Sequence, residues 1–233
     1  MTSSFQPPTP IRAILFDAGG TLIHVDGERV CRSAGLGYDG AAFRRAEAGA
    51  VAAVRRFIVE RPETRDAERL PFYLESLLVG LGLGDATERA RAAHGVAAEH
   101  ARANLWSKRA DGSLETLRAL LDRGYRVAVI SNADGRVRRL LETAGLAPLL
   151  EFIVDSAEVG VEKPDPRIFH AATDRLRLSP AACAYVGDIY EIDVLGAEAA
   201  GLTGILIGDA PAPDRVVRVP DLPGLHTLFP GFA

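Results

Sequence analysis

Lysine is scarce in this sequence: of the 27 basic residues among its 233 residues, only Lys108 and Lys163 are lysines. Because arginine supplies nearly all of the other positive charge, each lysine is a candidate for a specific role. The formal net charge is −4, so the chain carries no excess of positive charge that would attract a polyanion. We therefore expect no nucleic-acid partner.

Cysteine and long apolar runs are scarce as well. Cys31 and Cys183 lie far apart and in no metal-ligand spacing, which is typical of free thiols in a reducing compartment. No apolar run approaches the roughly 20 residues of a membrane-spanning helix, and residues 1–10 resemble neither a signal peptide nor an anchor. With 48% hydrophobic and 25% charged residues, the composition excludes a disordered chain. We expect a globular protein of the cytoplasm with no membrane partner.

Short apolar runs alternate with helical patterns along most of the chain. The predicted strands lie at residues 11–17, 126–130, 152–154, 184–186, 204–207 and 216–219. Helical spacing of apolar residues is found at residues 113–124, 134–145, 165–176 and 192–201. Ser113, Asp134 and Asp165 are the predicted N-caps of the first three of these helices. Buried strands that alternate with capped helices predict an α/β fold with a parallel sheet.

One long segment interrupts this alternation. From residue 25 to residue 107 we find no strong strand pattern, only helix formers rich in alanine, arginine and glutamate. Glycine and proline punctuate the segment near residues 35–40, 62 and 80–84. We therefore expect two domains, an α/β core formed by residues 1–23 and 108–233 and an all-helical insertion over residues 24–107.

Polar residues and glycines follow the predicted strands at the edge where open parallel sheets bind their ligands. Separate loops bring three carboxylates, a hydroxyl and an ammonium to this edge. In chain order, the candidate site residues are Asp17, Gly19, Gly20, Thr21, Ser131, Asn132, Lys163, Asp188 and Asp193.

Four short segments resemble, in the same order, the motifs of the haloacid dehalogenase-like hydrolase superfamily. They are Phe16-Asp17-Ala18-Gly19-Gly20-Thr21-Leu22, Ser131-Asn132, Lys163-Pro164 and Gly187-Asp188-Ile189-Tyr190-Glu191-Ile192-Asp193. The helical insertion is similar to the helical cap found in part of that superfamily. The resemblance implies a Rossmann-like parallel-sheet core with an inserted all-helical cap, hydrolase activity and a small-molecule substrate.

The resemblance also implies a magnesium site. It assigns the nucleophile to Asp17 and places a metal-bound backbone carbonyl at Gly19, with Asp188 and Asp193 as the further metal residues. Carboxylate and carbonyl oxygens are the ligands that Mg²⁺ prefers. A carboxylate nucleophile divides phosphoryl transfer into two easier steps through an aspartyl-phosphate, and a divalent cation screens the two approaching anions.

The remaining motif residues are implied to bind a phosphorylated substrate. Ser131 would hydrogen-bond a phosphoryl oxygen, and Lys163 would neutralise charge on the transferring group. Together with Asp17, these two residues are the expected catalytic residues. The expected substrate-binding residues are Gly20, Thr21, Ser131, Asn132 and Lys163.

The sequence departs from the superfamily pattern at Gly19. Phosphatases of the superfamily usually carry a second aspartate there, which protonates the leaving group and later activates water. General acid–base catalysis typically contributes ~10²–10⁴-fold to the reaction rate, so we expect a large loss of rate unless another group replaces this aspartate. A phosphohydrolase whose substrate has a good leaving group fits this change. So does a phosphohydrolase whose general acid comes from elsewhere in the chain, and the candidates nearby in sequence are His24, Asp26 and Glu28.

Other activities of the superfamily stay open beside a Mg²⁺-dependent phosphohydrolase. Haloacid dehalogenases also lack the second aspartate, but they need no metal and lack the paired carboxylates of the last motif. Phosphonate-cleaving relatives use a cap lysine, whereas residues 25–107 contain none and Lys108 would have to reach the site. A non-catalytic Mg²⁺-binding module is supported only by the loss of the acid. We expect hydrolysis of a small phosphorylated metabolite.

Overall fold

The computed structural model describes residue 7 and residues 9–231, and the chain divides into two compact units. The core unit comprises Met1–His24 and Lys108–Ala233, and the helical unit comprises Val25–Ser107. The use of the helical unit as a cap stays a prediction.

The strands of the described residues fall into a six-stranded and a two-stranded sheet. They are β1 (Ala13–Phe16), β2 (Ile23–Val25), β3 (Trp106–Arg109), β4 (Arg126–Ser131), β5 (Ile153–Asp155), β6 (Cys183–Gly187), β7 (Thr203–Ile207) and β8 (Val217–Val219). The large sheet has the order β5-β4-β1-β6-β7-β8, and each of its pairs is parallel. The predicted α/β fold with a Rossmann-like parallel sheet is confirmed.

The two-stranded sheet pairs β2 with β3, and neither strand was predicted from the sequence. Their sequences are Ile-His-Val and Trp-Ser-Lys-Arg, so polar residues interrupt the continuous apolar run by which the other strands were predicted.

The strands of the large sheet form where apolar runs are buried on both faces. Every residue of β1 and of β6 is buried, as expected for central parallel strands covered by helices. The apolar core on one face includes Leu15, Tyr185 and Phe169. Since β1 lies between β4 and β6, the residue that follows it, Asp17, lies at the middle of the sheet.

Four helices make up most of the described helical unit. They are α1 (Gly27–Ser33), α2 (Gly40–Glu60), α3 (Asp66–Gly80) and α4 (Ala86–Arg102). Three of them begin after an aspartate, because the carboxylates of Asp26, Asp39 and Asp85 accept hydrogen bonds from backbone N–H groups of the first turn. No helix of the described chain is both long and apolar enough to cross a membrane.

The helices of the core unit lie between strands along the chain, except for the last, which follows β8. They are α5 (Ser113–Asp122), α6 (Val137–Thr143), α7 (Ser156–Val159), α8 (Pro166–Leu176), α9 (Leu195–Ala199) and α10 (Leu225–Leu228). Asp165 caps α8 and Pro166 occupies its first turn, as predicted.

Two predicted helix caps were wrong. Gly112, with φ of +73°, is the N-cap of α5, and Ser113 is the first residue of the helix. Glycine adopts this left-handed conformation without a steric penalty, so the chain enters the helix one residue earlier. The cap of α6 is Arg136, because Asp134 uses its carboxylate to accept a hydrogen bond from the Arg136 backbone N–H in a local turn.

Candidate active site

The candidate site lies at the carboxyl ends of the central strands of the core unit. Phe16 of β1 is in register with Val129 of β4 and Val186 of β6, so the three strands end close to the same level. The backbone N–H of Asp17 donates to the Val186 carbonyl at 2.8 Å, which continues the β1–β6 pairing by one residue. The sheet register therefore brings the residues that follow these strands together.

Lys163 is the centre of a buried hydrogen-bond network. Its side chain is 3% exposed. Its Nζ donates to Asp17 Oδ1 at 2.5 Å, to Asp193 Oδ1 at 2.7 Å and to the Tyr185 hydroxyl at 2.8 Å. A lysine ammonium has three N–H donors and no acceptor, so each donor has a partner. Burial alone would lower the pKa of Lys163, but the charges of Asp17 and Asp193 outweigh it and hold that pKa well above its usual range.

Asn132 fixes the loop that carries Lys163. The Asn132 side chain accepts from the Lys163 backbone N–H at 2.7 Å and donates to the Lys163 carbonyl at 3.0 Å. The peptide bond that follows, Lys163-Pro164, is cis. Asn132 directly follows β4, so these two hydrogen bonds fix the position of the Lys163 backbone relative to the end of that strand.

Asp193 is held on both of its carboxylate oxygens. Oδ1 accepts from Lys163, and Oδ2 accepts from the Ile189 backbone N–H at 2.9 Å. The residue lies in a π-helical turn, Tyr190–Val194, which leads into α9. A Cβ atom at Gly187 would lie 2.3 Å from Asp193 Cγ, so glycine is required at the end of β6 for this carboxylate to fit.

Asp188 occupies space that a second glycine leaves open. Gly20 has φ of +86°, and a Cβ atom there would lie 2.5 Å from Asp188 Oδ2. The other carboxylate oxygen, Oδ1, is buried and has no hydrogen-bond partner in the described part of the chain. A buried carboxylate oxygen without a partner is costly. A cation bound next to Asp188 would supply the missing partner of this oxygen.

The three aspartates form a cluster of the size that holds a metal ion. One carboxylate oxygen from each of Asp17, Asp188 and Asp193 lies within 4.8 Å of the others. Burial raises the pKa of Asp17 to about 6, with Lys163 opposing the rise and Asp193 adding to it. Burial, together with the charges of Asp193 and Asp17, raises the pKa of Asp188 well above its usual range. A divalent cation would remove this repulsion, so the donor set fits Mg²⁺.

The other predicted site residues lie at the same edge or in the loop after β1. Ser131 is buried as the last residue of β4, one residue before Asn132. Gly19 forms an isolated bridge with Ile23, which closes the loop after Asp17. Thr21 is buried, and no partner of its hydroxyl is found among the described residues.

The three side chains considered as replacement acids lie outside the cluster of metal-ligating carboxylates, and their use as acids stays a prediction. His24 is exposed in β2, and Glu28 is exposed in α1. Asp26 uses its carboxylate to accept a hydrogen bond from the Arg29 backbone N–H at the start of α1.

Tyr185 is a residue of the site that the sequence interpretation missed. It is fully buried in β6, and its hydroxyl donates to the Ile130 carbonyl at 2.9 Å while accepting from Lys163. A tyrosine inside a buried strand needs a hydrogen-bond partner, and this one lies two residues before Gly187. Its place in a predicted buried strand was therefore a signal that its hydroxyl has a polar neighbour.

Comparison with known proteins agrees with this geometry. A family model described as haloacid dehalogenase-like hydrolase matches residues 11–201. The chain belongs to this hydrolase family. The match covers all of the motif residues, from Asp17 to Asp193.

Two curated relatives match over part of the chain. Haloacid dehalogenase-like hydrolase domain-containing protein 3 of Bos taurus is 38% identical over 125 residues, which are 52% of this chain and 50% of that protein. A phosphoserine phosphatase of Thermus thermophilus is 36% identical over 101 residues, 43% of this chain and 41% of that protein. The chain thus matches about half or less of the length of these relatives.

The fold is shared over nearly the whole chain. A crystal structure of a dehalogenase matches with a TM-score of 0.65 at 24% identity and covers 94% of this chain and 96% of that one. At this identity the likeness establishes a shared fold.

Proposed function

We propose that this hydrolase is a Mg²⁺-dependent phosphohydrolase of small phosphorylated molecules, with Asp17 as its nucleophile. The observation that carries the proposal is the buried, unpartnered Oδ1 of Asp188 within a cluster of three aspartates. The phosphoserine phosphatase of Thermus thermophilus among the relatives supports a phosphorylated substrate.

The charges of the cluster favour a divalent cation. In the described residues, Lys163 is the cation that opposes the charges of Asp17 and Asp188. Three ionised carboxylates and one ammonium leave two negative charges, and a divalent cation balances them. Asp17 and Asp188, with the carbonyl of Gly19, would hold the metal, and Asp193 would orient the site. When bound, Mg²⁺ would screen the repulsion between the nucleophile and the phosphate dianion.

The proposed reaction has two steps. An oxygen of the Asp17 carboxylate attacks phosphorus, the bond from phosphorus to the substrate oxygen breaks, that oxygen leaves as an oxide with the bonding electron pair, and an aspartyl-phosphate forms on Asp17. Water then attacks the same phosphorus, the aspartyl oxygen leaves as the carboxylate of Asp17, and the released inorganic phosphate keeps both protons of the water. Dividing the transfer in this way replaces one difficult step by two easier ones.

Lys163 and Ser131 would act on the phosphoryl oxygens. Lys163 Nζ lies 2.5 Å from Asp17 Oδ1, so its charge would be next to a phosphoryl group transferred to Asp17. Ser131 is held at the end of β4 on the same edge. Removal of a positioned donor to a developing oxyanion costs ~10²–10³-fold in rate in other enzymes. The backbone around Gly20 and Thr21, and Asn132 through its hold on the Lys163 loop, would complete substrate binding.

Gly19 limits the leaving groups that the proposed enzyme accepts. It offers a backbone carbonyl but no side-chain acid, and His24 lies exposed on β2. An aryl oxide leaves without protonation, whereas an alkoxide needs a proton in the transition state. We therefore expect substrates with good leaving groups.

The test compares Mg²⁺-dependent hydrolysis of para-nitrophenyl phosphate with that of an alkyl ester such as phosphoserine. We expect turnover of the aryl ester, little turnover of the alkyl ester, and neither activity in Asp17→Asn. Comparable rates on both esters would show that another residue supplies the acid, and His24→Ala would then be measured. Absence of Mg²⁺-dependent turnover on either ester would contradict the proposal.

A 2-haloacid dehalogenase is the second candidate. It is favoured by the absence of a side-chain acid at residue 19, as in the dehalogenase motif. The buried Oδ1 of Asp188 argues against it, because dehalogenation leaves this oxygen without a cation. Release of halide from a 2-haloacid in the presence of EDTA would favour the dehalogenase over the phosphohydrolase.

A further inference from the structure

The Tyr185 hydroxyl connects the lysine of the site to the backbone of a strand that is not paired with β6. Tyr185 belongs to β6, and Ile130 belongs to β4, with β1 between them in the sheet. The hydroxyl extends across β1 and donates to the Ile130 carbonyl at 2.9 Å. It also forms a hydrogen bond with Lys163 Nζ at 2.8 Å. All three residues are buried.

The direction of each hydrogen bond follows from the number of protons. A tyrosine hydroxyl has one proton, and the Ile130 carbonyl can only accept, so that proton points to Ile130. The oxygen lone pairs then face Lys163, which donates. The Tyr185 hydroxyl is therefore fixed as an acceptor for the ammonium.

The ring and the hydroxyl of Tyr185 have separable functions. The ring packs edge-on against Phe169, with ring centroids 5.0 Å apart, and a phenylalanine would keep this contact. The hydroxyl alone supplies the third acceptor of Lys163. With that acceptor in place, the other two N–H groups of the ammonium point at Asp17 and Asp193.

We propose that Tyr185 is a positioning residue, whose hydroxyl fixes the Lys163 ammonium between Asp17 and Asp193. The catalytic consequence rests on the proposed function, but the position of the ammonium does not. Without the hydroxyl, one N–H of Lys163 and the Ile130 carbonyl both lose their buried partner. The ammonium then turns away from the geometry in which it serves the phosphoryl group.

The first test observes the ammonium itself in Tyr185→Phe. Because the chain contains two lysines, a sample labelled with ¹⁵N at lysine Nζ gives two ammonium signals, with exposed Lys108 as the internal reference. We expect the protons of Lys163 to exchange slowly with water in the wild type and roughly 10- to 100-fold faster in the variant, the range for a lost hydrogen bond to a charged group.

The control is Tyr125→Phe. Tyr125 is also buried in the core unit, but it precedes β4 at the opposite end of the sheet. This variant should leave the Lys163 signal unchanged. If Tyr185→Phe also leaves the exchange rate and chemical shift of Lys163 unchanged, the hydroxyl does not position the ammonium and the proposal is wrong.

The second test is a double-mutant cycle on the hydrolysis of para-nitrophenyl phosphate. Tyr185→Phe should lower kcat by roughly 10- to 100-fold with little change in KM, and it should have no further effect in a Lys163→Met background, because it acts through the lysine. An equal fold-loss in both backgrounds would show a structural role instead. If the wild type hydrolyses no phosphate ester, the proposed function fails, and the ammonium measurement alone decides the role of Tyr185.

Discussion

Replacement of the proposed nucleophile by its neutral isostere, Asp17→Asn, should stabilise the metal-free protein while abolishing activity. Asp17 is buried and 6% exposed, and its ionised form is opposed by burial and by the charge of Asp193 more strongly than Lys163 favours it. Asparagine keeps an oxygen that can accept from Lys163 but carries no charge. The site therefore carries an electrostatic cost that the variant removes.

The size of the effect follows from the pKa of Asp17. A rise from 3.8 to about 6 corresponds to about 3 kcal/mol at ~1.36 kcal/mol for each pKa unit. Because the amide group fits the Lys163 network less well than a protonated carboxyl group, we expect a gain of roughly 1 to 3 kcal/mol in the free energy of unfolding. For a chain of this size, that gain raises Tm by roughly 2–10 °C.

The raised pKa of Asp17 also determines how the stability of the metal-free protein depends on pH. A raised pKa in the folded state means that the folded protein holds this proton more tightly than the unfolded chain does. The stability of the metal-free wild type therefore falls as pH rises from 3.8, the ordinary pKa of this carboxyl group, to about 6. The asparagine side chain of the variant does not titrate, so the advantage of Asp17→Asn is absent below this range and complete above it.

The assay is urea unfolding in EDTA at several pH values, with Asp174→Asn as the control. Asp174 is an exposed carboxylate on α8, and its replacement should change stability little. If Asp17→Asn is no more stable than the wild type above pH 7, the ionised carboxylate carries no electrostatic cost in the folded protein. An advantage that is already complete at pH 4 would likewise contradict the raised pKa.

Three further predictions concern the metal and the loops around it. Gly20→Ala places a Cβ atom 2.5 Å from Asp188 Oδ2, so calorimetry should show Mg²⁺ affinity at least tenfold weaker, and wild-type affinity would contradict the geometry. Asn132→Ala removes both hydrogen bonds to the Lys163 backbone and should lower the free energy of unfolding in urea by about 1–3 kcal/mol; an unchanged value would show that the loop is held in another way. Mg²⁺ at a hundredfold excess over its Kd should stabilise the wild type by about 2.7 kcal/mol, reversibly with EDTA, and an absent shift in Tm would exclude binding to the folded state.

The sheet and its helices could be predicted because parallel strands are buried on both faces and therefore appear as short continuous apolar runs. The apolar residues of β1 and β6 carry this signal directly. The strands β2 and β3 could not be found in this way, because their sequences, Ile-His-Val and Trp-Ser-Lys-Arg, contain polar residues and form no continuous apolar run. The start of α5 was missed by one residue because a left-handed glycine at Gly112 replaced the expected serine cap.

The candidate residues at the sheet edge were predictable, whereas their mutual contacts were not. Lys163 and Asp17 are 146 residues apart in the chain, and only the register of the sheet shows that they meet. The same holds for the space beside Gly20 and Gly187, which depends on where the aspartates of the last motif lie. The buried strand around Tyr185 indicates that its hydroxyl has a partner, but only the three-dimensional structure identifies that partner as Lys163.

The proposed mechanism is tested most directly by trapping the phosphorylated nucleophile. The protein is quenched with acid during Mg²⁺-dependent turnover of para-nitrophenyl phosphate, and its peptides are examined by mass spectrometry. We expect that the peptide containing Asp17 gains one phosphoryl group, that hydroxylamine removes this group, and that Asp17→Asn shows neither modification nor turnover. A phosphoryl group on another residue, or turnover by Asp17→Asn at the wild-type rate, would contradict the assignment of Asp17 as the nucleophile.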